Sequence, residues 1–138
     1  MKLSDQKKIR QILKNSKRIA VVGISEKPDK PSYEVADFLM KNGFEIIPVN
    51  PKYDSVLAQK CYPSLLEVPG NVDIVDIFLR PEHILPVVEQ AIKIKTKVIW
   101  MQLGIINTDA ALLAEKAGID VIMDQCLKIQ YQTLIIED

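Results

Sequence analysis

The apolar residues of this chain fall into five short, nearly continuous runs rich in β-branched side chains, separated by longer stretches of helical period. Strict apolar-polar alternation would mark strands with one wet face. Continuous runs instead fit parallel strands covered by helices on both faces, the βαβ pattern. The predicted strands are residues 18–23, 44–49, 72–79, 98–102 and 119–123. Between them the spacing predicts a helix capped by Ser32, running through Val35, Phe38 and Leu39 and stopped at Asn42 and Gly43, with Gly43 as the left-handed residue past its end. A second helix is expected over residues 82–94 with Val87, Val88, Ala91 and Ile92 inward, Pro81 and Pro86 fitting only in or before its first turn. A third is expected over 108–117, capped by Asn107 or Thr108 and stopped by Gly118. Residues 4–15 form a further amphipathic helix through Ile9, Ile12 and Leu13.

Right-handed crossovers then favour a doubly wound five-stranded α/β sheet of order 2-1-3-4-5. This order puts the second strand at an edge, where Pro48, which cannot donate to a ladder, is tolerated. With 138 residues the chain has room for one ordinary domain, spanning 1–138.

Several functions are disfavoured by composition. Eighteen Lys+Arg balance eighteen Asp+Glu, so no overall field favours nucleic acid or an anionic membrane. No apolar run approaches the ~18 residues that span a bilayer, and a cytoplasmic location is the expectation. Cys61 and Cys126 have no CxxC spacing, and the single histidine, His83, excludes a His-based metal cluster.

In an open α/β sheet, ligands bind beyond the carboxyl ends of the strands where strand order reverses, here between the first and third. That rule selects the loop from Gly23 to Tyr33 and the segment Leu79-Arg80-Pro81-Glu82. The first loop keeps only the opening glycine of a G-x-G-x-x-G fingerprint, with Ser25 and Pro28 where later glycines would fall, which disfavours a standard NAD site; a Walker A lysine motif is also absent. At the end of the second strand, where NAD-binding folds carry an acid for the ribose hydroxyls, the chain reads Val49-Asn50-Pro51-Lys52. A lysine there suits a ribose bearing its own phosphate, as in CoA or NADP; an ordinary solvated lysine fits the spacing equally well.

Seven blocks occur in order: Ile19-Ala20-Val21-Val22-Gly23-Ile24-Ser25, Pro31-Ser32-Tyr33, Ile47-Pro48-Val49-Asn50-Pro51-Lys52, Tyr62-Pro63-Ser64-Leu65, Val72-Asp73-Ile74-Val75-Asp76-Ile77-Phe78, Trp100-Met101-Gln102-Leu103-Gly104 and Asp124-Gln125-Cys126. Together they resemble the small stand-alone CoA-binding domain proteins, Rossmann-like relatives of the nucleotide-binding domain of succinyl-CoA synthetase. The resemblance covers roughly residues 18–126. It implies that Gly23, Ile24 and Ser25 meet the pyrophosphate, that Asn50, Pro51 and Lys52 meet the adenosine and its phosphate, and that Leu79, Arg80 and Pro81 border the adenine or pyrophosphate. Ser32, Tyr33 and Gln102 complete the candidate set. The chain departs from the family pattern at Leu79 and Arg80, where two basic residues are frequent, at Gln125, often arginine, and at Gln130 and Tyr131, often Glu-His.

Catalysis has weaker support. Cys126 has no base beside it in sequence, with only Lys128 and a possible helix start nearby, and reads with Cys61 as a small buried hydrophobe. His83 sits where it could bind phosphate or simply cap a helix. Asp73 and Asp76, three apart on a strand, face opposite sides and cannot share a proton. Trp100 is expected in the core, its N–H needing a partner. The resemblance implies that the synthetase's phosphorylated histidine lies in a separate domain, which these 138 residues are not expected to include. The expectation is a CoA- or acyl-CoA-binding protein acting as a non-catalytic carrier, sensor or accessory protein. An NADP-dependent oxidoreductase and a nucleotide-sensing subunit of a larger complex stand as alternatives.

Overall fold

The computed structural model describes residues 6–137. Its sheet is built from the parallel strands β1 (Arg18–Val22), β2 (Glu45–Val49), β5 (Ile74–Ile77), β6 (Val98–Met101) and β7 (Asp120–Ile122), in the order β2-β1-β5-β6-β7. The expected 2-1-3-4-5 winding is therefore present. Between β2 and β5 lies a hairpin of β3 (Ser55–Val56) and β4 (Gln59–Lys60). No turn signature marks it, because its turn residues Leu57 and Ala58 both take positive φ, a conformation usually marked by Asn-Gly.

Alternate residues along each strand enter different cores. Ile19, Val21, Ile74, Trp100 and Ile122 pack beneath α1 (Gln6–Asn15), α2 (Pro31–Lys41) and α5 (Leu127–Tyr131). Ala20, Val22, Val75, Ile77, Ile99 and Val121 pack beneath α3 (Ile84–Lys93) and α4 (Thr108–Lys116). This two-sided covering is why the strands read as unbroken apolar runs. The α1 expectation holds from Gln6 onward; its first two predicted residues lie outside the described residues. The predicted 82–94 helix divides into a 3₁₀ turn, Pro81–His83, and α3, with Pro86 in the first helical turn, where its missing N–H costs nothing. Gly43 takes φ +96° just beyond α2, as expected. Asn107, the cap of α4, accepts from the Ala110 amide at 3.0 Å.

One expectation needs correction. Ser32 does not cap α2: the cap position is Lys30, Pro31 takes the first helical position, and no side chain caps the end. Proline's fixed φ starts the helix one residue before the serine. The possible helix start near Cys126 is realised as α5, which continues as a π-helical turn, Gln132–Ile136.

Pro48 lies on the outer strand, and its carbonyl accepts from the Tyr62 amide at 3.0 Å. A residue's N–H and C=O share one side of a strand, so the missing donor of Pro48 also faces that outer edge and costs the sheet nothing. Trp100 is fully buried, and its indole N–H donates to the Gln125 carbonyl at 2.9 Å.

The two aspartates of the third sheet strand's segment separate as expected. Asp73 accepts from the Lys17 and Arg18 amides at 2.8 and 2.9 Å. Burial tends to raise its pKa, but these amides and Lys97 outweigh that and hold it below the usual value. Asp76 is fully buried between Val21 and Trp100 in neighbouring strands. One of its oxygens accepts from Gln102 Nε2 at 2.7 Å and the other has no partner. Burial, only partly offset by Gln102, pushes its pKa from 3.8 to about 7.

An acid whose folded pKa is raised binds its proton more tightly in the native state, so its contribution is complete below the unfolded pKa and is lost as pH rises to the folded one. Asp76 should therefore lower stability by roughly 1.4 kcal/mol per pH unit between 3.8 and about 7, with no further loss above that. Asp76→Asn keeps an acceptor for Gln102 and cannot ionise. Urea unfolding at several pH values should show its stability relative to the natural protein growing across this window and then levelling.

Candidate functional site

At the reversal point, β1 ends between β2 and β5. The Gly23 amide donates to the Val49 carbonyl and the Phe78 amide to the Val22 carbonyl, each at 2.9 Å. Gly23 has φ +86°, and a Cβ there would sit against the Phe78 carbonyl oxygen and 2.9 Å from Leu79 Cδ2. Positive φ and this close approach both require glycine.

The loop beyond Gly23 is stiffened by side chains in place of further glycines. Ser32 Oγ accepts from the Ser25 amide at 2.9 Å, and Ser25 Oγ accepts from the Lys27 amide at 3.1 Å. Asn50 clasps this loop to the one after β2: its Nδ2 donates to the Ile24 carbonyl and its Oδ1 accepts from the Lys52 amide, both at 2.9 Å. Asn50 thus spends its amide on shaping the site and fixes where Lys52 begins.

These loops border a cleft of about 610 Å³ at the carboxyl ends of the strands. Val22, Val49, Leu79 and Val87 give it apolar walls, while Lys52, Ser64, His83 and Gln90 supply polar groups, a lining typical of small-molecule sites of this size. A second cavity of equal volume lies at the opposite edge, around Lys95, Thr96 and Gly118. That edge carries the carboxyl ends of α3 and α4, whose dipoles disfavour anions, and it lies away from the reversal point. The first cleft is the candidate site.

Of the sequence-derived residues, Gly23, Asn50, Pro51, Lys52 and Leu79 line this cleft. Ile24 is fully buried in the core, its carbonyl taken by Asn50, and it does not line the cleft. Ser25 and Ser32 form the loop brace, and Tyr33, in the first turn of α2, packs against the core. Arg80 and Pro81 are exposed at the adjoining 3₁₀ turn, outside the lining. Gln102 is 4% exposed with its amide committed to Asp76. Among residues that sequence reasoning did not place in the site, Pro63, Ser64, Val87 and Gln90 also line it. Helical spacing could have found two of them, since Val87 and Gln90 follow His83 at four and then three residues.

The cysteines differ. Cys61 is buried with its thiol 3.4 Å from the Asn50 carbonyl; burial, with a further push from Asp54, raises its pKa. That makes it a structural thiol. Cys126 is half-buried at the start of α5 and packs against the core. Two family departures meet beside it, as Gln130 Nε2 donates to Gln125 Oε1 at 2.8 Å. The pair is a neutral amide pair. Among the described residues, no group of three or more His, Cys, Asp or Glu is arranged to hold a metal ion, and no helix is long and apolar enough to cross a membrane.

The pattern of the CoA binding domain matches residues 17–132. The chain belongs to that family. Within it, the chain is 42% identical over 123 residues to the uncharacterized protein YneT of Bacillus subtilis, covering 89% of this chain and 91% of that one. It is also 30% identical over 125 residues to the 4-hydroxybutyrate–CoA ligase (ADP-forming) of Nitrosopumilus maritimus, spanning 82% of this chain but only 18% of the ligase. Among solved structures, a hypothetical protein from Pyrococcus horikoshii superposes with TM-score 0.93 at 39% identity, covering 95% of this chain and 92% of that one. The two share the Rossmann-like α/β fold.

Because Gly23 is held between two strands, Gly23→Ala should cost about 2 to 4 kcal/mol, combining left-handed strain with overpacking. Chemical denaturation measures this. Gly43→Ala, with nothing within 4 Å of its added Cβ, should cost less.

Proposed function

We propose that this protein binds coenzyme A or an acyl-CoA in the cleft beyond β1, β2 and β5, as a carrier, sensor or accessory protein without chemistry of its own. The observation that carries this reading is Lys52, a cation lining the cleft at the end of β2, held at its backbone by Asn50. There it faces the ribose position, where a 3′-phosphate supplies the anion that an NAD-type acid would repel. The uncapped start of α2 supports the pyrophosphate assignment, because first-turn amides have no intrahelical acceptor and the helix dipole favours negative charge. Ser25, braced by Ser32, and the backbone of Gly23 form the approach to that helix end, with Ile24 buried behind them. Leu79 and Val87 offer apolar surface for the adenine, with Arg80 and Pro81 at the margin.

A binding role fits the local chemistry better than catalysis. Cys61 is a poor nucleophile where its pKa is raised, and the amide pair of Gln125 and Gln130 provides no charge to activate Cys126. The matched segment is also only 10% to 18% of the acetate–CoA and 4-hydroxybutyrate–CoA ligases compared with it, which supports a ligand-holding module.

Calorimetry with two ligands tests the reading. Lys52→Ala should weaken CoA binding about tenfold while barely changing the weaker binding of dephospho-CoA, which lacks only the 3′-phosphate. Equal weakening of both, or of neither, removes Lys52 from phosphate recognition. CoA should also raise the melting temperature more than NADP or NAD at matched concentration, since a ligand specific for the folded state stabilises by mass action. A larger shift with NADP would favour the oxidoreductase alternative.

A further inference from the structure

We propose that the loop after β6, residues 102–107, receives the aliphatic acyl group of an acyl-CoA, so that this protein prefers a medium-chain thioester to free CoA. The inference rests on the CoA reading and extends it to the end of the ligand that carries the cargo.

Leu103 is 65% exposed, more than any other large apolar residue among those described, and Ile106 is 50% exposed. A lone exposed leucine needs no explanation. Two large aliphatics in four residues, held away from the core by a fully tied loop, do. The Ile105 amide donates to the Gln102 carbonyl at 2.8 Å, the Gly104 amide to Asp124 Oδ1 at 2.7 Å, and Asn107 Nδ2 to the Pro81 carbonyl at 2.9 Å. Ile105 itself packs against the core beneath α3 and α4. The loop therefore half-buries its middle aliphatic and presents the flanking two.

Its position suits the far end of a long ligand. The cleft spans the reversal point, over the ends of β2, β1 and β5; a ligand extended further along the same edge comes next to the end of β6. The Pro81–His83 turn joins the two regions, since His83 lines the cleft and the Pro81 carbonyl holds Asn107. A CoA whose adenosine lies near Lys52 would direct its pantetheine arm past this turn, toward Leu103 and Ile106. The loop presents aliphatic carbon there, and no charged residue lies between Gln102 and Asn107. Such a surface is matched by methylene groups rather than by a free thiol or a carboxylate.

The test compares CoA, acetyl-CoA and hexanoyl-CoA by calorimetry on the natural protein and on Leu103→Ser/Ile106→Ser. Both side chains are at least half exposed, so the double variant should fold normally. Hexanoyl-CoA is expected to bind the natural protein at least tenfold more tightly than CoA, with acetyl-CoA close to CoA. The variant should lose that preference and bind CoA within about twofold of the natural protein. Equal affinity for CoA and hexanoyl-CoA, or a preference that survives in the variant, overturns the acyl assignment while leaving CoA binding intact. Sedimentation showing self-association that the variant abolishes, without an acyl preference, also overturns it and makes the loop a contact between copies. Failure of every CoA species to bind overturns the underlying CoA reading.

Discussion

The close approach of three strands at Gly23 governs the geometry of this protein's ligand edge. With Val49 on one side and the Phe78 carbonyl on the other, the chain leaving β1 has no room for a side chain and must turn through positive φ. Everything that borders the cleft is referenced to that point. The loop to α2 starts there, Leu79 is placed against it, and β2 is locked alongside so that Asn50 can reach the Ile24 carbonyl. Displacing the glycine would disturb three walls of the site together.

Around this fixed point the polar side chains of the two loops do structural work, holding the loops in shape. Ser32, Ser25 and Asn50 spend their hydrogen bonds within the loops. A glycine-rich loop gains close backbone approach at the expense of conformational freedom; here serine and asparagine restore order to a longer loop. Asp76 and Gln102 make a similar internal pair one layer below, joining β5 to β6. Its unsatisfied oxygen shows that the pair is tolerated at a cost, and that cost rises with ionisation.

Much of the fold was legible because its strongest signals are collective. Five apolar runs, each buried on two faces, and helices with stops such as Gly43 and Gly118 reinforce one another, and Pro48 independently identified the edge strand. What escaped was local. The β3–β4 hairpin turns on Leu57 and Ala58, which carry no turn signature, and α5 with its π-helical continuation is too short to show a period. Ser32 looked like a cap because its hydroxyl is indeed turned toward a backbone amide, but that amide belongs to Ser25, seven residues back in the chain. In the site, Lys52 and Gly23 could be singled out by the chemistry expected at a strand end. Pro63 and Ser64 could not, since they reach the cleft only through tertiary placement.

Pro48 and Tyr62 have a consequence for assembly. An open sheet has two borders, each a template on which another chain could add a strand. On the β2 side, a residue without a donor and a crossing segment already bonded to the Pro48 carbonyl occupy that template. The other border, β7, is only three residues long. Polymerisation by strand addition thus has one side blocked and the other nearly too short to use, which leaves the helical faces and the ligand-edge loops as the surfaces through which copies or partners can meet.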